Sequence, residues 1–225
     1  MILLVVLIIV LIVTSYNRTS YHQITGKSFF QVMRDKGSEG EYQIYKSLSF
    51  LEKEGAKFLF NAYLPMDNGE TTECDVILIA PKGIIVFESK NYSGWIFGNE
   101  KQKMWTQTLP QGAGKPASKE KFFNPIMQNK LHIDYLAKAT NGMYPIYSIV
   151  VFSKRCELKK LTVYNNNIQV IKQNELLTSV KNIFNYTSPC ISQSEVERLY
   201  NSLLPYTQVS DEIKQQHIQN INSHH

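Results

Sequence analysis

An aspartate, a glutamate and a lysine stand at the ends of two apolar runs: Asp75 precedes Val76–Ala80, and Glu88 and Lys90 follow Ile84–Phe87. Pro81-Lys82 between the runs has the residue types of a tight turn. If Ala80 faces Gly83, counting outward sets Asp75 opposite Glu88 and Glu73 opposite Lys90. Side chains alternate along a strand, so Glu88 and Lys90 share a face, and Glu73, Asp75, Glu88 and Lys90 form one cluster. A three-residue loop with a bulge at Gly83 would break this register. Facing carboxylates repel one another, and at the ends of apolar runs solvent screens them poorly. A cation, a lysine or a raised pKa on one acid must offset that cost. A divalent ion held by Asp75 and Glu88, with Lys90 beside it, meets the need, and hard oxygen ligands favour Mg²⁺ or Mn²⁺ over zinc. Such an ion lowers the pKa of a bound water and stabilises charge on a phosphate, with a lysine assisting. The competing reading is that these strand-end charges are simply solvated, because Asp plus Glu-x-Lys is a short and common pattern.

Other elements must position this cluster. Ser38 to Glu54 has helical spacing, with Ile44, Leu48 and Leu51 on one stripe. Glu41 is in phase with Ile44, Tyr45 and Leu48, at the end of that stripe, which places it toward the cluster. Ser38-x-x-Glu41 is also a capping box, and Glu41 capping its own helix stays open. Lys57 to Leu64 reads as a strand ending at Pro65, and Trp95–Phe97 and Met104–Thr108 as two more joined at Gly98-Asn99. Gln111 to Phe123, rich in Gly, Lys and Ser, reads as a loop. Asn124-Pro125 opens a helix running to about Ala139, with Asn as N-cap and Pro at the first position. Gln128 lies in phase with Leu131 and Tyr135; a buried Gln needs partners, which the cluster or a neighbouring loop would supply. Ile146–Phe152 and Ile168–Ile171 read as strands, and Asn174–Phe184 and Ser192–Leu204 as helices. Strands 75–80 and 146–152 are apolar on both faces, the pattern of strands covered on both sides. The class is α/β, a mixed central sheet flanked by helices. Trp95, Phe97 and Trp105 either stack bases or fill a hairpin core. Lys101, Lys103, Lys115, Lys119 and Lys121 either contact phosphates or form a solvated face.

A chain of 225 residues suits one domain with a full core. A net charge of +5 permits a nucleic-acid or anionic-lipid partner without demanding one. Three widely spaced cysteines, Cys74, Cys156 and Cys190, argue against a disulfide framework and a Cys-rich zinc site, and fit a reducing compartment. Residues Met1–Val13 are all apolar. The segment reads as a short membrane anchor; a signal peptide and a buried core helix are the alternatives. Arg18, Lys27, Arg34 and Lys36 all follow it, so an anchored, single-pass chain would have a cytoplasmic body at the cell membrane. The expected organisation is an anchor over 1–16, a juxtamembrane linker over 17–36, the folded domain over 37–205 and a polar tail over 206–225.

Five motifs in order, Gly37-x-x-Gly40-Glu41, Glu73-Cys74-Asp75, Glu88-Ser89-Lys90-Asn91-Tyr92-x-Gly94, Trp105-x-Gln107 and Asn124-Pro125-x-x-Gln128, resemble those of the nuclease-related domain (NERD) family, over roughly Gly37 to Phe152. That family is assigned to the PD-(D/E)xK nuclease-like superfamily, so the resemblance implies a restriction-endonuclease-like sheet. It implies Asp75 and Glu88 as metal ligands, Lys90 as the catalytic lysine, and supporting roles for Glu41 and Gln128, with Glu41 also toward the metal. The implied activity is Mg²⁺- or Mn²⁺-dependent cleavage of phosphodiester bonds in nucleic acid, principally DNA. The alternatives are a non-catalytic module that binds nucleic acid or a partner, and a membrane-anchored scaffold. Cys74 and Ser89 replace apolar residues of the family pattern and are expected on the face opposite the acids.

Overall fold

The computed structural model describes residues 1–223; His224 and His225, the end of the expected polar tail, lie outside them. Four helices, α1 (Ile2–Asn17), α2 (Ser20–Thr25), α3 (Phe29–Arg34) and α4 (Lys36–Leu48), lead into a short 3₁₀ turn and then into strands β1 (Lys57–Pro65), β2 (Thr71–Ala80) and β3 (Gly83–Lys90). Strands β4 (Gly94–Asn99), β5 (Met104–Leu109) and β6 (Ser118–Phe123) follow, then helix α5 (Pro125–Ala139). The chain continues through β7 (Ile146–Phe152), β8 (Cys156–Thr162), β9 (Ile168–Lys172), α6 (Leu176–Tyr186), α7 (Gln193–Leu203) and α8 (Asp211–Ser223).

The strands form two mixed sheets where one was expected. The larger has the order β1-β2-β3-β7-β9, antiparallel from β1 to β3 and parallel from β3 to β9; the smaller has the order β6-β5-β4-β8, with β8 parallel to β4. The β2–β3 turn has the two-residue form, with Ala80 opposite Gly83 and Val76 opposite Phe87. Gly83 has φ +130°, and a Cβ there would meet the Pro145 carbonyl at 3.0 Å, so the turn needs glycine. β6 occupies part of the segment expected to be a loop. Its Lys119, Glu120 and Lys121 are exposed in succession, so no apolar alternation marks it.

Two layers cover the larger sheet. On one face Ile44, Tyr45 and Leu48 of α4 and Leu176 and Val180 of α6 pack on Phe58, Phe60, Val76, Leu78, Ile85 and Phe87. On the other, Leu136 of α5 and Val196, Leu199 and Leu203 of α7 pack on Leu59, Ile77, Ile79, Ile84 and Val86. A third cluster, with Ile96, Trp105, Ile126 and Phe152, joins the smaller sheet to α5 and β7. Trp105 is buried there and Trp95 is about half exposed, so the hairpin-core reading holds for Trp105.

Three boundaries need correction. Segment 17–36 is no linker. It forms α2 and α3, which bury Tyr21 and Val32 in the first layer, with Tyr21 packed edge-on to Phe60 at 4.7 Å. Two buried side chains in a polar stretch leave little periodicity to read. The tail forms α8, whose buried His217 donates from Nδ1 to the Thr71 carbonyl at 3.0 Å and packs edge-on to Tyr63. The membrane anchor fails on length. The 16 residues of α1 rise about 24 Å against a hydrocarbon core of roughly 30 Å. Its last turn is also part of the domain, because Tyr16 is buried and donates its hydroxyl to the Lys27 carbonyl at 2.7 Å. Among the described residues no helix is long and apolar enough to cross a membrane. The single-pass membrane location, which rested on that anchor, goes with it.

Candidate active site

The site lies where β2 and β3 part. Their paired register runs from the turn to Val76↔Phe87. One residue further, the Asp75 carboxylate takes the Ser89 backbone N–H at 2.7 Å. This puts Asp75 beside Glu88, as the turn register requires. Burial and then the Glu88 and Glu41 charges push the Asp75 carboxyl well above the usual carboxylate range.

Glu88 is fully buried. Its Oε1 has the Lys90 ammonium at 2.6 Å, and its Oε2 has His132 Nε2 at 3.1 Å. A carboxylate only accepts, so Nε2 carries a proton, while the Thr72 hydroxyl meets Nδ1 at 2.6 Å. Burial works to raise the Glu88 pKa, but Lys90 and His132 outweigh it and hold it below the ordinary value. For Lys90 the balance is the mirror image: burial works to lower its pKa, and the Glu88 and Asp75 charges hold it above that of a free lysine. The Lys90 ammonium also donates to Gln128 Oε1 at 3.1 Å, so α5 anchors the lysine through Gln128 and the glutamate through His132.

Glu41 approaches from the opposite face. Its helix is capped by Asp35, which accepts the Ser38 N–H at 3.0 Å, so the alternative in which Glu41 closes a capping box with Ser38 does not hold and Glu41 is left for the site. Its Oε2 accepts from the buried Tyr21 hydroxyl at 2.9 Å. Burial first, and then the Glu73 charge, raise the Glu41 pKa to about 7 against the pull of Lys27, Tyr21 and Asn61. Asn61 has φ +50° in the middle of β1, between residues paired with Val76 and Cys74. The pleat changes phase here. Phe58 and Phe60 pack in the α4 layer, but Ala62 and Leu64 pack in the α7 layer, and on β2 Val76 and Cys74 change sides in the same way.

The structure therefore brings together Asp75, Glu88, Lys90 and Gln128, with Glu41 behind Asp75 from α4. Glu73 faces Tyr63 and stands 3.7 Å from His217 Nε2 rather than opposite Lys90, so it sits at the edge of the cluster, where its charge still acts on Glu41 and Asp75. Ser89 faces α4 as expected: a Cβ on Gly40 would lie 2.4 Å from its hydroxyl and 3.2 Å from Asn91 Cβ, so a larger residue there would force Ser89 to turn and Asn91 to give. Cys74 does not oppose the acids, because the phase change moves it into the layer of Val86 and α7. His132, Thr72, Asn61 and Tyr21 are contacts that sequence reasoning missed. The Gln128-x-x-x-His132 spacing places both side chains on one face of α5, a signal present in the sequence but unused.

The donors suit a hard cation. Glu88 Oε1 is buried without an aligned hydrogen bond, its close neighbour being the Lys90 ammonium, and Asp75 and Glu88 repel one another. Among the described residues no group of three or more His, Cys, Asp or Glu is arranged to hold a metal ion, so a two-carboxylate site would be completed by oxygens other than those of a third such side chain.

The chain is similar to an uncharacterized protein of Bacillus anthracis, 31% identical over 183 residues, which cover 81% of this chain and 82% of the relative. No solved structure matches the chain. The model of the nuclease-related domain matches residues 36–153, the span that carries α4, β1 to β7, α5 and every residue gathered at the parted strands, and the chain belongs to the nuclease-related domain (NERD) family.

Proposed function

We propose that the chain is a metal-dependent nuclease that hydrolyses phosphodiester bonds in DNA. The observation that carries this reading is the convergence of Asp75, Glu88 and Lys90 at the parted ends of β2 and β3, with the lysine fixed by both Glu88 and Gln128. Asp75 and Glu88 would hold Mg²⁺ or Mn²⁺, and Glu41 adds a third negative charge for the ion to offset. A bound ion of this kind supplies charge stabilisation at a phosphate and a lower pKa for water. The chain's own residues do the rest. Lys90, held cationic, faces the phosphate and stabilises the charge that develops on it. Gln128 fixes the ammonium and His132 fixes Glu88.

One observation favours a second reading, a non-catalytic module that binds nucleic acid or a partner: Lys90 and His132 already compensate Glu88 without any ion. The deciding experiment incubates the full chain with plasmid, linear and single-stranded DNA in Mg²⁺, Mn²⁺ or EDTA. The full chain is required because residues 16–36 supply part of the core. Cleavage that EDTA stops and that Asp75→Ala or Glu88→Ala abolishes supports the nuclease. DNA binding without cleavage in any metal selects the second reading.

A further inference from the structure

Beside the site, at the C-terminal ends of the parallel strands β3 and β7, lies a cavity of about 170 Å³ lined by Glu39, Lys90, Asn91, Ser153, Lys154 and Arg155, among others. The ends of parallel strands are where open α/β sheets take ligands. The turn after β7 is clamped onto the residues that carry the lysine. The Ser153 N–H donates to the Lys90 carbonyl at 3.0 Å, and the Ser153 hydroxyl to the Tyr92 carbonyl at 2.6 Å. Arg155 Nη2 donates to the Asn91 carbonyl at 3.1 Å and to Asn91 Oδ1 at 2.7 Å. Asn91 spends its own amide on α4, donating to the Lys36 carbonyl at 2.8 Å and to Glu39 Oε2 at 2.9 Å.

Asn91 is thus a bracket between α4 and Arg155. It holds one edge of the guanidinium and leaves Nε and Nη1 without a partner among the described residues, as is the Lys154 ammonium. On the cavity wall Lys154 and Arg155 meet one carboxylate, Glu39, which is engaged by Asn91, while the Lys90 ammonium is held by Glu88 and Gln128. A half-tethered planar fork, an unpaired ammonium and little opposing charge suit a phosphate oxygen pair.

We propose that this cavity takes a phosphodiester of the bound strand adjacent to the one being cleaved, with Arg155 as its principal contact and Asn91 as the residue that orients Arg155. The proposal rests on the nuclease reading, and it makes the β7–β8 turn part of the substrate path.

The test measures binding of the full chain to a fluorescein-labelled single-stranded DNA oligonucleotide by anisotropy, in EDTA so that nothing is cut, across a salt series. Arg155→Ala should weaken binding about tenfold, the worth of one charged hydrogen-bonding group. It should also reduce the slope of log K against log salt by about 0.7. Arg155→Lys should keep the slope and recover only part of the affinity. Arg155 is exposed on its turn, so melting temperatures should stay level. A set of oligonucleotides each carrying one neutral methylphosphonate gives the second readout: one position should cost the wild type affinity and cost Arg155→Ala nothing further. Wild-type binding with unchanged affinity and slope in both Arg155→Ala and a Lys154→Ala/Arg155→Ala variant overturns the proposal and leaves the nuclease reading standing. No binding by the wild type, together with no cleavage in metal, removes both.

Discussion

His132 Nε2 lies 3.1 Å from Glu88 Oε2, and the imidazole's other nitrogen is held at 2.6 Å by Thr72. Glu88 is fully buried, so this donor and Lys90 together keep it ionised in a place where an isolated carboxylate would be neutral. His132→Ala should strand Oε2 and cost about 1–3 kcal/mol. Thr72→Val, which keeps the imidazole but frees its tautomer, should cost less. Urea denaturation in EDTA checks the order. Equal losses from both substitutions would show that packing, and not the hydrogen-bond chain, sets the effect.

Lys90 offers a sharper contrast. In the metal-free chain it compensates Glu88, and in the proposed reaction it stabilises charge on the phosphate. Lys90→Ala should destabilise the protein in EDTA by about 3–5 kcal/mol, the usual cost of breaking a buried pair. Mg²⁺ should restore part of that loss. Turnover should fall on the order of 10²–10³-fold even in saturating Mg²⁺. Lys90→Arg should rescue poorly, because a planar fork does not replace a compact ammonium. Full activity in Lys90→Ala would remove the lysine from the chemistry.

Asn61 tests whether backbone strain is part of the site. Its φ of +50° is open to glycine at no steric cost and to other residues at a penalty of roughly 1–2 kcal/mol. Asn61→Ala should therefore be less stable than Asn61→Gly by about 1 kcal/mol. Both should lose the pull of the amide on the Glu41 carboxyl and show a similar loss of turnover. If Asn61→Gly matched the wild type in turnover, the amide would matter only for the turn of the chain.

The hairpin register was legible because Pro81-Lys82 sits between two apolar runs of near-equal length, and register follows from turn length once one face is buried. That alone places Asp75 beside Glu88. It could not show that the ladder ends at Val76 and that Asp75 takes a backbone N–H itself. The phase change at Asn61 was invisible because it depends on one φ angle, and it sent Cys74 to the unexpected side. His132 was missed because 44 residues separate it from Glu88 and its one local mark is the four-residue step from Gln128. Asp35 displaced Ser38 as the cap of α4, since either residue type is a good N-cap and only geometry chooses. The thirteen apolar residues at the start misled most: their composition suits a membrane, but the helix they form is too short and carries the buried Tyr16 in its last turn.

The acid cluster should leave a pH signature in the metal-free protein. Glu41 is raised to about 7, and Asp75 is raised well above its ordinary value. In the unfolded chain both ionise near pH 4, so between there and their folded pKa values the native state holds more protons. Stability must then fall as pH rises. The contribution is fully present below the unfolded pKa and is lost as pH climbs through the folded one. For Glu41 the change between pH 5 and pH 8 is on the order of 3 kcal/mol at most. Glu88, whose pKa is depressed, acts in the other direction and only at acid pH below the ordinary glutamate value. Thermal melting in EDTA should therefore show the melting temperature declining from pH 5 to pH 8. Mg²⁺ should reverse the trend, stabilising the chain more at pH 8 than at pH 5.5, because ligands must lose their protons to bind it. Glu41→Gln, neutral at every pH, should make the EDTA profile shallower, with the Asp75 share of the decline remaining, while leaving some response to Mg²⁺ through Asp75 and Glu88. A flat wild-type profile would mean that these carboxyls are not held protonated. A Mg²⁺ shift no larger at pH 8 than at pH 5.5 would mean that the ion does not bind through them.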